Sequence, residues 1–255
     1  MMQLAQRTTS RFLPLYGGPA MSAPQSRCAA CGVHNHCVSS GLTEFDLRRL
    51  DTIVSRRRLE RGQTLYRMGD PFSSLYAIRL GHFKSHQVSI NGTEQITGFQ
   101  MAGELMGLDG ISNGRHNCFA VALEDSEVCE IPFDRLQALF AEIPELLRHF
   151  HRIMSQEITH YRGAMLVLGK MLAEQRFAMF LLNLSSRYHA HGYSSTRYQL
   201  RMSRDDIANY LGLTIESVSR LLSKFKTMKL ITVDRREIVI HDLQQLKWLA
   251  TQNFD

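Results

Sequence analysis

The spacing of apolar residues divides the chain into segments of different texture. The first 27 residues are rich in Ser, Thr, Pro and Gly and lack periodicity, which predicts a disordered tail. Thr43, with Asp46 three residues later, predicts the N-cap of a short helix. From about 57 to 133, short β-rich runs alternate with turn signals, which is typical of a small barrel or roll. Within this stretch Asn91-Gly92 predicts the tip of a type I′ hairpin.

Residues 144–172 form the longest helical pattern in the sequence. The apolar positions advance by steps of four and three, as in a heptad seam with His151 as its one clearly polar member. A helix of this length spans about 42 Å, which is more than its own domain can cover. We therefore expect a homodimer through a coiled coil, whose interface would contain Met154, Ile158, Tyr161, Met165, Leu168 and Leu172.

Residues 203–240 combine two capped helices with a following β-hairpin. Ser203 and Asp206 predict a capping box on the first helix, and Gly212 permits a tight left-handed exit from it. Thr214 then predicts the N-cap of a second helix. This order is typical of a winged helix-turn-helix that binds double-stranded DNA.

The start of that second helix would meet base edges in the major groove. Arginine pairs with guanine and glutamate accepts from cytosine, so polar residues here suit base reading. An ion pair between Glu216 and Arg220 at i,i+4 is the purely structural alternative. The predicted contacts with DNA are Glu216, Ser219, Arg220, Ile215, Ser217 and Lys224, the last of them with phosphate.

Composition agrees with a nucleic-acid partner and argues against other classes. The 255 residues carry a net charge of +6, and residues 173–255 supply +4 of it. No run approaches the roughly 20 apolar residues of a membrane span, and no signal peptide is evident, so we expect a cytoplasmic protein without a membrane partner. The sequence contains no P-loop, dinucleotide fingerprint or nucleophile–base set, so it does not predict an enzyme.

Five cysteines supply the candidate metal chemistry. Cys28, Cys31 and Cys37 lie on one loop in the spacing Cys-x2-Cys-x5-Cys. Thiolates are soft ligands that suit an iron–sulfur cluster or zinc, and both centres need a fourth ligand. The residues alone leave four candidates for that place, which are Cys118, Cys129, His34 and His36.

The motifs together resemble the fumarate-and-nitrate-reduction (FNR) branch of the cyclic-AMP receptor protein (CRP) superfamily. The resemblance implies an α+β fold, in which 28–143 form an iron–sulfur loop and a cyclic-nucleotide-binding-like β-roll. It further implies a dimerisation helix over 144–172 and a winged helix-turn-helix domain over 173–255. The matching segments are the cysteine loop, Gly62–Leu65, Ser74–Arg79, Glu94–Phe99, Val128–Phe133 and Asn209–Thr214.

The resemblance also implies a cofactor and a ligand set. Val128–Pro132 matches the family segment that holds the fourth ligand of a [4Fe–4S] cluster, so Cys129 completes the set with Cys28, Cys31 and Cys37. Cys118 is then left as an inert buried thiol. The implied switch is an intact cluster, a dimer and bound DNA without oxygen, and cluster loss with a loosened dimer when oxygen is present.

The implied regulator activates and represses transcription together with RNA polymerase, at palindromes similar to TTGAT-N4-ATCAA. Arg220 would read the guanine, Glu216 the paired cytosine and Ser219 a neighbouring thymine. The tip Asn91–Glu94 is a candidate polymerase contact. Cyclic AMP is not expected, because the family's phosphate-binding turn is replaced by Gly107-Leu108-Asp109 and Arg115 is followed by His116.

One residue departs from the family pattern. The resemblance leads us to expect an acidic residue on the dimer helix where this chain has Tyr161. A phenol removes the repulsion between opposed carboxylates and adds apolar area, so the dimer without cluster would be tighter than in the family. Two other functions remain open: a CRP-type regulator with zinc or a small effector, and an electron-transfer or enzymatic iron–sulfur protein.

Overall fold

The computed structural model describes residues 27–252, so the predicted tail lies outside the described residues except for Arg27. The predicted α+β architecture is confirmed: a β-roll with helices, a long helix, and a C-terminal helix-turn-helix domain with a small sheet. The helices are α1 Glu44–Ile53, α2 Phe133–Glu142, α3 Pro144–Lys170, α4 Ala173–Ala190, α5 Arg204–Leu211, α6 Ile215–Thr227 and α7 Leu243–Thr251. The strands are β1 Ser55–Leu59, β2 Thr64–Tyr66, β3 Ser74–Leu80, β4 His82–Val88, β5 Glu94–Met101, β6 Leu105–Met106, β7 Phe119–Ala122, β8 Ser126–Pro132, β9 Arg197–Gln199, β10 Ile231–Asp234 and β11 Glu237–Ile240.

The β-roll consists of two four-stranded sheets around a shared apolar core. The strand order is β1-β8-β3-β6 in one sheet and β2-β7-β4-β5 in the other, so β5 is an edge strand. Ile78 and Val128 from the first sheet and Phe83 from the second are fully buried in this core. Alternating side chains of paired strands point to one face, which lets both sheets contribute to it.

Helices cover the outer face of the first sheet. The α1 helix begins as predicted, because Thr43 Oγ1 accepts the backbone N–H of Asp46 at 3.2 Å. Helices α1, α2 and the start of α3 pack through Leu50, Leu136 and Leu146 against Leu75 of β3. The cysteine loop joins the same apolar cluster through Val38. The loop is therefore anchored between the roll and the long helix.

The long helix α3 has two halves with different surroundings. Leu146 and Phe150 in its first half are buried in the N-terminal domain. The helix ends at Lys170, two residues before the predicted boundary, and Met171 and Leu172 are extended. Leu172 is therefore not on the dimer helix but is the N-cap of α4, which corrects the predicted seam. The apolar spacing continues through Leu172 because that side chain is still spaced as in a helix. The spacing of side chains does not reveal where the backbone hydrogen bonds of the helix end.

The C-terminal domain, residues 173–252, shares an apolar cluster with strand β5. Phe177, Leu181 and Phe225 are fully buried there, and Ile96 and Phe99 of β5 belong to the same cluster. The guanidinium of Arg176 donates to the carbonyl oxygens of Met171 at 2.9 Å and Leu211 at 3.0 Å. This single side chain thus joins the ends of α3 and α5. No helix within residues 27–252 is long and apolar enough to cross a bilayer.

The β4–β5 hairpin differs from the predicted tight turn. Its loop comprises the five residues 89–93, and Gly92 has a positive φ of 81° whereas Asn91 does not. A type I′ turn requires positive φ at both central positions, so the predicted turn type is wrong. The side chain of Ser89 donates to the Thr93 carbonyl oxygen at 3.1 Å, which closes the wider loop.

Candidate metal centre and nucleic-acid interface

Four cysteines line one small cavity between the cysteine loop and the β-roll. Cys28, Cys31 and Cys37 come from the loop before α1, and Cys129 comes from the middle of β8. All four side chains are half-buried, and β8 is held on both sides by β1 and β3. The fold thus brings together the four residues that the resemblance implied as ligands.

Hydrogen bonds to neighbouring helices fix the ends of the cysteine loop. The carboxylate of Asp51 on α1 accepts the backbone N–H of Arg27 at 2.6 Å and of Cys28 at 3.2 Å. At the other end, His149 Nε2 donates to the Cys37 carbonyl oxygen at 3.0 Å. Because His149 lies on α3, this bond connects the cysteine loop directly to the long helix. No local sequence signal points to this bond, because the two residues lie 112 positions apart.

Burial controls the protonation of the thiols. Burial raises the pKa of Cys129 to about 11, although Arg56 and Arg79 act in the opposite direction. Burial also raises the pKa of Cys28 and of Cys37. These three groups are therefore thiols near neutral pH, and a metal centre must displace their protons to bind. Within residues 27–252 no three His, Cys, Asp or Glu side chains are already arranged to hold a single metal ion.

The other candidate ligands have different surroundings. Cys118 is buried beside Asp109, to which its Sγ donates at 3.5 Å, and it does not reach the cysteine cavity. His34 does line that cavity, and its Nδ1 lies 3.1 Å from Ser39 Oγ. The ring of His36 packs against His191 at the end of α4, with 4.6 Å between centroids. Cys129 is thus the fourth cysteine of the cavity.

The two helices of the helix-turn-helix form for the local reasons that the sequence indicates. Ser203 and Asp206 make a reciprocal capping box at the start of α5. Gly212 then adopts the left-handed conformation with φ 62°, and Thr214 Oγ1 accepts the Ser217 backbone N–H at 3.2 Å. The predicted N-caps of both helices and the exit of α5 at Gly212 are confirmed.

The start of α6, the reading helix, presents its polar side chains to solvent. Ile215, Glu216 and Arg220 are exposed, and Ser217 and Ser219 are half-buried. Glu216 and Arg220 form no direct ion pair within 4 Å, although they still interact: hydrogen bonds at the start of α6, and after them the charge of Arg220, lower the pKa of Glu216. Arg220 Nη2 instead donates to Ser217 Oγ at 3.0 Å, which leaves further donors of the guanidinium free for a base.

Two further contacts restrain side chains of the reading helix. Arg204 of α5 donates to Ser219 Oγ at 3.5 Å. Lys224, which we predicted to bind phosphate, is exposed but pairs with Glu174 of α4 at 2.5 Å. Lys224 must leave this ion pair, or share its ammonium, to contact DNA.

The second half of α3 exposes the apolar residues predicted for the dimer. In the single chain Tyr161 is 46% exposed and Met165 is 74% exposed, and Ile158 and Leu168 are also exposed. Met154 is partly buried against the N-terminal cluster. Contiguous exposed apolar surface of this kind marks an interface. All the predicted interface residues other than Leu172 lie on α3.

Comparisons with known proteins agree with both domains. Residues 56–142 match the family model of the cyclic nucleotide-binding domain, and 175–249 match that of the Crp-like helix-turn-helix domain. Among solved structures, FixK2 from Bradyrhizobium japonicum is similar with a TM-score of 0.72 and 28% identity, covering 79% of this chain and 100% of FixK2.

Curated relatives match nearly end to end. The chain is 45% identical to the transcriptional regulatory protein btr of Bordetella pertussis, over 91% of this chain and 96% of that protein. It is 45% identical to the anaerobic regulatory protein of Pasteurella multocida, over 86% and 81% of the two chains. It is 44% identical to the fumarate and nitrate reduction regulatory protein of Yersinia pestis, over 88% and 90%. These relatives and the fold identify a transcription regulator and not an enzyme: the chain belongs to the FNR branch of the CRP family of regulators.

Proposed function

We propose that this regulator senses oxygen through a [4Fe–4S] cluster and binds DNA as a dimer at sites similar to TTGAT-N4-ATCAA. The observation that carries the proposal is the convergence of four cysteines, from two distant parts of the chain, on one cavity. Thiolates are the ligands that such clusters require. Relatives named anaerobic regulatory proteins support the sensing role.

Cys28, Cys31, Cys37 and Cys129 would hold the cluster, which supplies an oxygen-labile centre when bound. The chain's own residues would transmit its state. Cys37 is joined through its carbonyl oxygen to His149 on α3, so a change in the loop reaches the dimer helix across one hydrogen bond. The same helix exposes the apolar residues that a partner would cover. Dimerisation then places two reading helices on the two halves of a palindrome.

The cavity of the β-roll supports a regulator that does not use cyclic AMP. This cavity of about 520 Å³ lies between the roll and α3, and Asp109 and Glu157 both line it. No Lys or Arg is among its described lining residues, and Arg115 instead donates to the Gly69 carbonyl oxygen at 2.8 Å. The Asp109 carboxylate, with no cation among these lining residues, disfavours an anionic phosphate.

The proposal includes RNA polymerase as the partner of the DNA-bound dimer. The hairpin loop of residues 89–93 protrudes from the roll, and Asn91 and Gly92 are exposed there. The tip Asn91–Glu94, at the end of this loop, is the contact that we propose for polymerase.

Anaerobic purification followed by iron and sulfide analysis tests the cofactor. We expect about four iron and four sulfide atoms per chain, with visible charge-transfer absorption and binding to the palindrome. Zinc without visible bands would instead support the alternative, a CRP-type regulator with another effector. Iron and sulfide without specific DNA binding would support an electron-transfer protein and overturn the regulatory part of the proposal.

Tyr161 provides a test of the dimer switch. In a parallel dimer this seam residue would face its symmetry mate. We expect the aerobically purified protein without cluster to retain dimer at micromolar concentration. Tyr161→Asp should shift it towards monomer, because opposed carboxylates repel and resist desolvation, while the anaerobic cluster-loaded form still dimerises. Sedimentation of both proteins with and without oxygen measures the effect.

Gln156→Asp, at an exposed position of α3 that faces away from the seam, is the matched control. It should leave the monomer–dimer ratio close to that of the parent. An aerobic parent that is already fully monomeric at micromolar concentration would show that Tyr161 does not strengthen the dimer.

A further inference from the structure

The first helix of the helix-turn-helix is hydrogen-bonded to the edge of the β-roll. Asn209 Oδ1 accepts the backbone N–H of Ile96 at 2.6 Å, and Asn209 Nδ2 donates to the Glu94 carbonyl oxygen at 2.9 Å. In return Gln95 Nε2 donates to the Asn209 carbonyl oxygen at 2.9 Å. Because β5 is an edge strand, its outward backbone groups lack a strand partner. The Asn209 amide takes the place of that partner.

An ion pair joins the same two elements. Lys84 Nζ of β4 lies 2.8 Å from Asp206 Oδ1 of α5, and both side chains are mostly buried. Asp206 Oδ2 meanwhile accepts the backbone N–H of Ser203 at 2.9 Å in the capping box of α5. One carboxylate therefore both starts the helix and attaches it to the roll.

Apolar contacts fill the space behind these polar bonds. The ring of Phe99 on β5 packs on Tyr210 of α5, with 5.1 Å between centroids, and on Phe180 of α4, with 6.3 Å. Interfaces between domains allow motion when they are small and polar, and an apolar centre restricts that motion. The contact between α5 and β5 is thus suited to hold the helix-turn-helix in one position.

This attachment leaves the reading face free. Glu216 and Arg220 on α6 are exposed while Asn209 and Asp206 are engaged. The position fixed by the roll is therefore one in which the base-contacting residues remain available to DNA.

We propose that the β4–β5 hairpin positions the helix-turn-helix, with Asn209 as the main positioning residue, and so sets the spacing of the half-sites that the dimer accepts. The proposal rests on the proposed function, since it assumes a dimer on a palindrome. An added base pair moves one half-site by about 3.4 Å and rotates it by roughly 35°. A helix-turn-helix fixed to the roll cannot follow this change, whereas one attached only through residues 171–172 can.

The main test is a double variant on the β4–β5 hairpin, which leaves the helix-turn-helix sequence unchanged, and a second variant alters α5. The double variant Lys84→Met, Gln95→Ala removes the two bonds that side chains of the roll donate to α5. Asn209→Ala removes the two bonds that the Asn209 amide makes with the backbone of β5. Gln87→Ala, an exposed position on the same hairpin, is the matched control. The full chain, loaded anaerobically, is titrated with palindromes of TTGAT half-sites whose spacers are three, four or five base pairs, and with a single half-site.

We expect the preference for the four-base-pair spacer to fall by about five- to tenfold in the double variant, which corresponds to the loss of one or two hydrogen bonds. Affinity for the single half-site should stay within about twofold, and Gln87→Ala should behave like the parent. The same result with Asn209→Ala would show that Asn209 itself positions the helix-turn-helix. If that variant does not fold, the double variant alone decides.

Two outcomes would overturn this proposal alone. An unchanged spacer preference in both the double variant and Asn209→Ala would show that the contact does not persist on DNA. An equal loss on every duplex, including the half-site, would show that it acts on folding of the helix-turn-helix and not on its position. A parent that binds no palindrome would refute the proposed function itself, and this proposal with it.

Discussion

Serine in place of any one of Cys28, Cys31, Cys37 or Cys129 is expected to abolish assembly of the iron–sulfur cluster. The replacement exchanges a soft thiolate for a hard oxygen ligand, which binds these irons poorly. All four side chains line the same cavity, so no second thiol of the described chain is in place to substitute. Iron and sulfide content and visible absorption of the anaerobically purified variants measure the loss.

Cys118→Ser is the matched control for these four variants. Cys118 is buried beside Asp109, and burial raises the pKa of its thiol to about 12, so it is an unreactive thiol at neutral pH. Its replacement should leave the iron content near that of the parent. Equal loss with Cys118→Ser, or a normal cluster in Cys129→Ser, would refute the assignment of the fourth ligand.

Arg220→Ala is expected to weaken binding by about 1–3 kcal/mol per half-site, or roughly twice that on the full palindrome. The exposed guanidinium can make two bonds to guanine, and alanine makes none. The loss should shrink when the guanine of the half-site is replaced, because the parent then loses the same contact. Titration of parent and variant with both duplexes measures this coupling.

Lys226→Ala, at an exposed position near the end of α6, gives the comparison. This residue lies further along the reading helix, where phosphate contacts are expected. It should weaken binding to both duplexes by a similar factor and reduce the salt dependence. If Arg220→Ala showed this uniform pattern, Arg220 would be a phosphate contact and the assigned base contact would be wrong.

Local sequence signals predicted the elements well where a few neighbouring residues decide the structure. The caps at Ser203 and Thr214 join groups three residues apart, so the sequence alone contains both partners. The Asn91-Gly92 signal was misleading because the flanking strands end earlier than the two-residue turn requires. Local pattern thus finds elements more securely than it finds their ends.

The site residues likewise differ in whether local sequence signals could predict them. Spacing alone marked Cys28, Cys31 and Cys37, whereas Cys129 was selected only by family resemblance. The contact between His149 and Cys37 and that between Asn209 and Ile96 join residues more than 100 positions apart. Such contacts depend on how elements far apart in the sequence are placed on each other, and hydrophobic periodicity reports only that a face is covered.

The apolar cluster that joins β5 to the C-terminal domain has a thermodynamic consequence. Ile96 and Phe99 are buried only when the C-terminal helices are folded against them, and Phe180 and Leu184 share the same cluster. The domain boundary that we predicted at residue 173 therefore does not separate two parts that unfold independently. Removing the roll would expose apolar side chains of the remaining fragment to water and lower its free energy of unfolding. The DNA-binding domain consequently cannot be moved to another protein without losing stability, because it depends in part on a strand that lies more than 70 residues earlier in the chain.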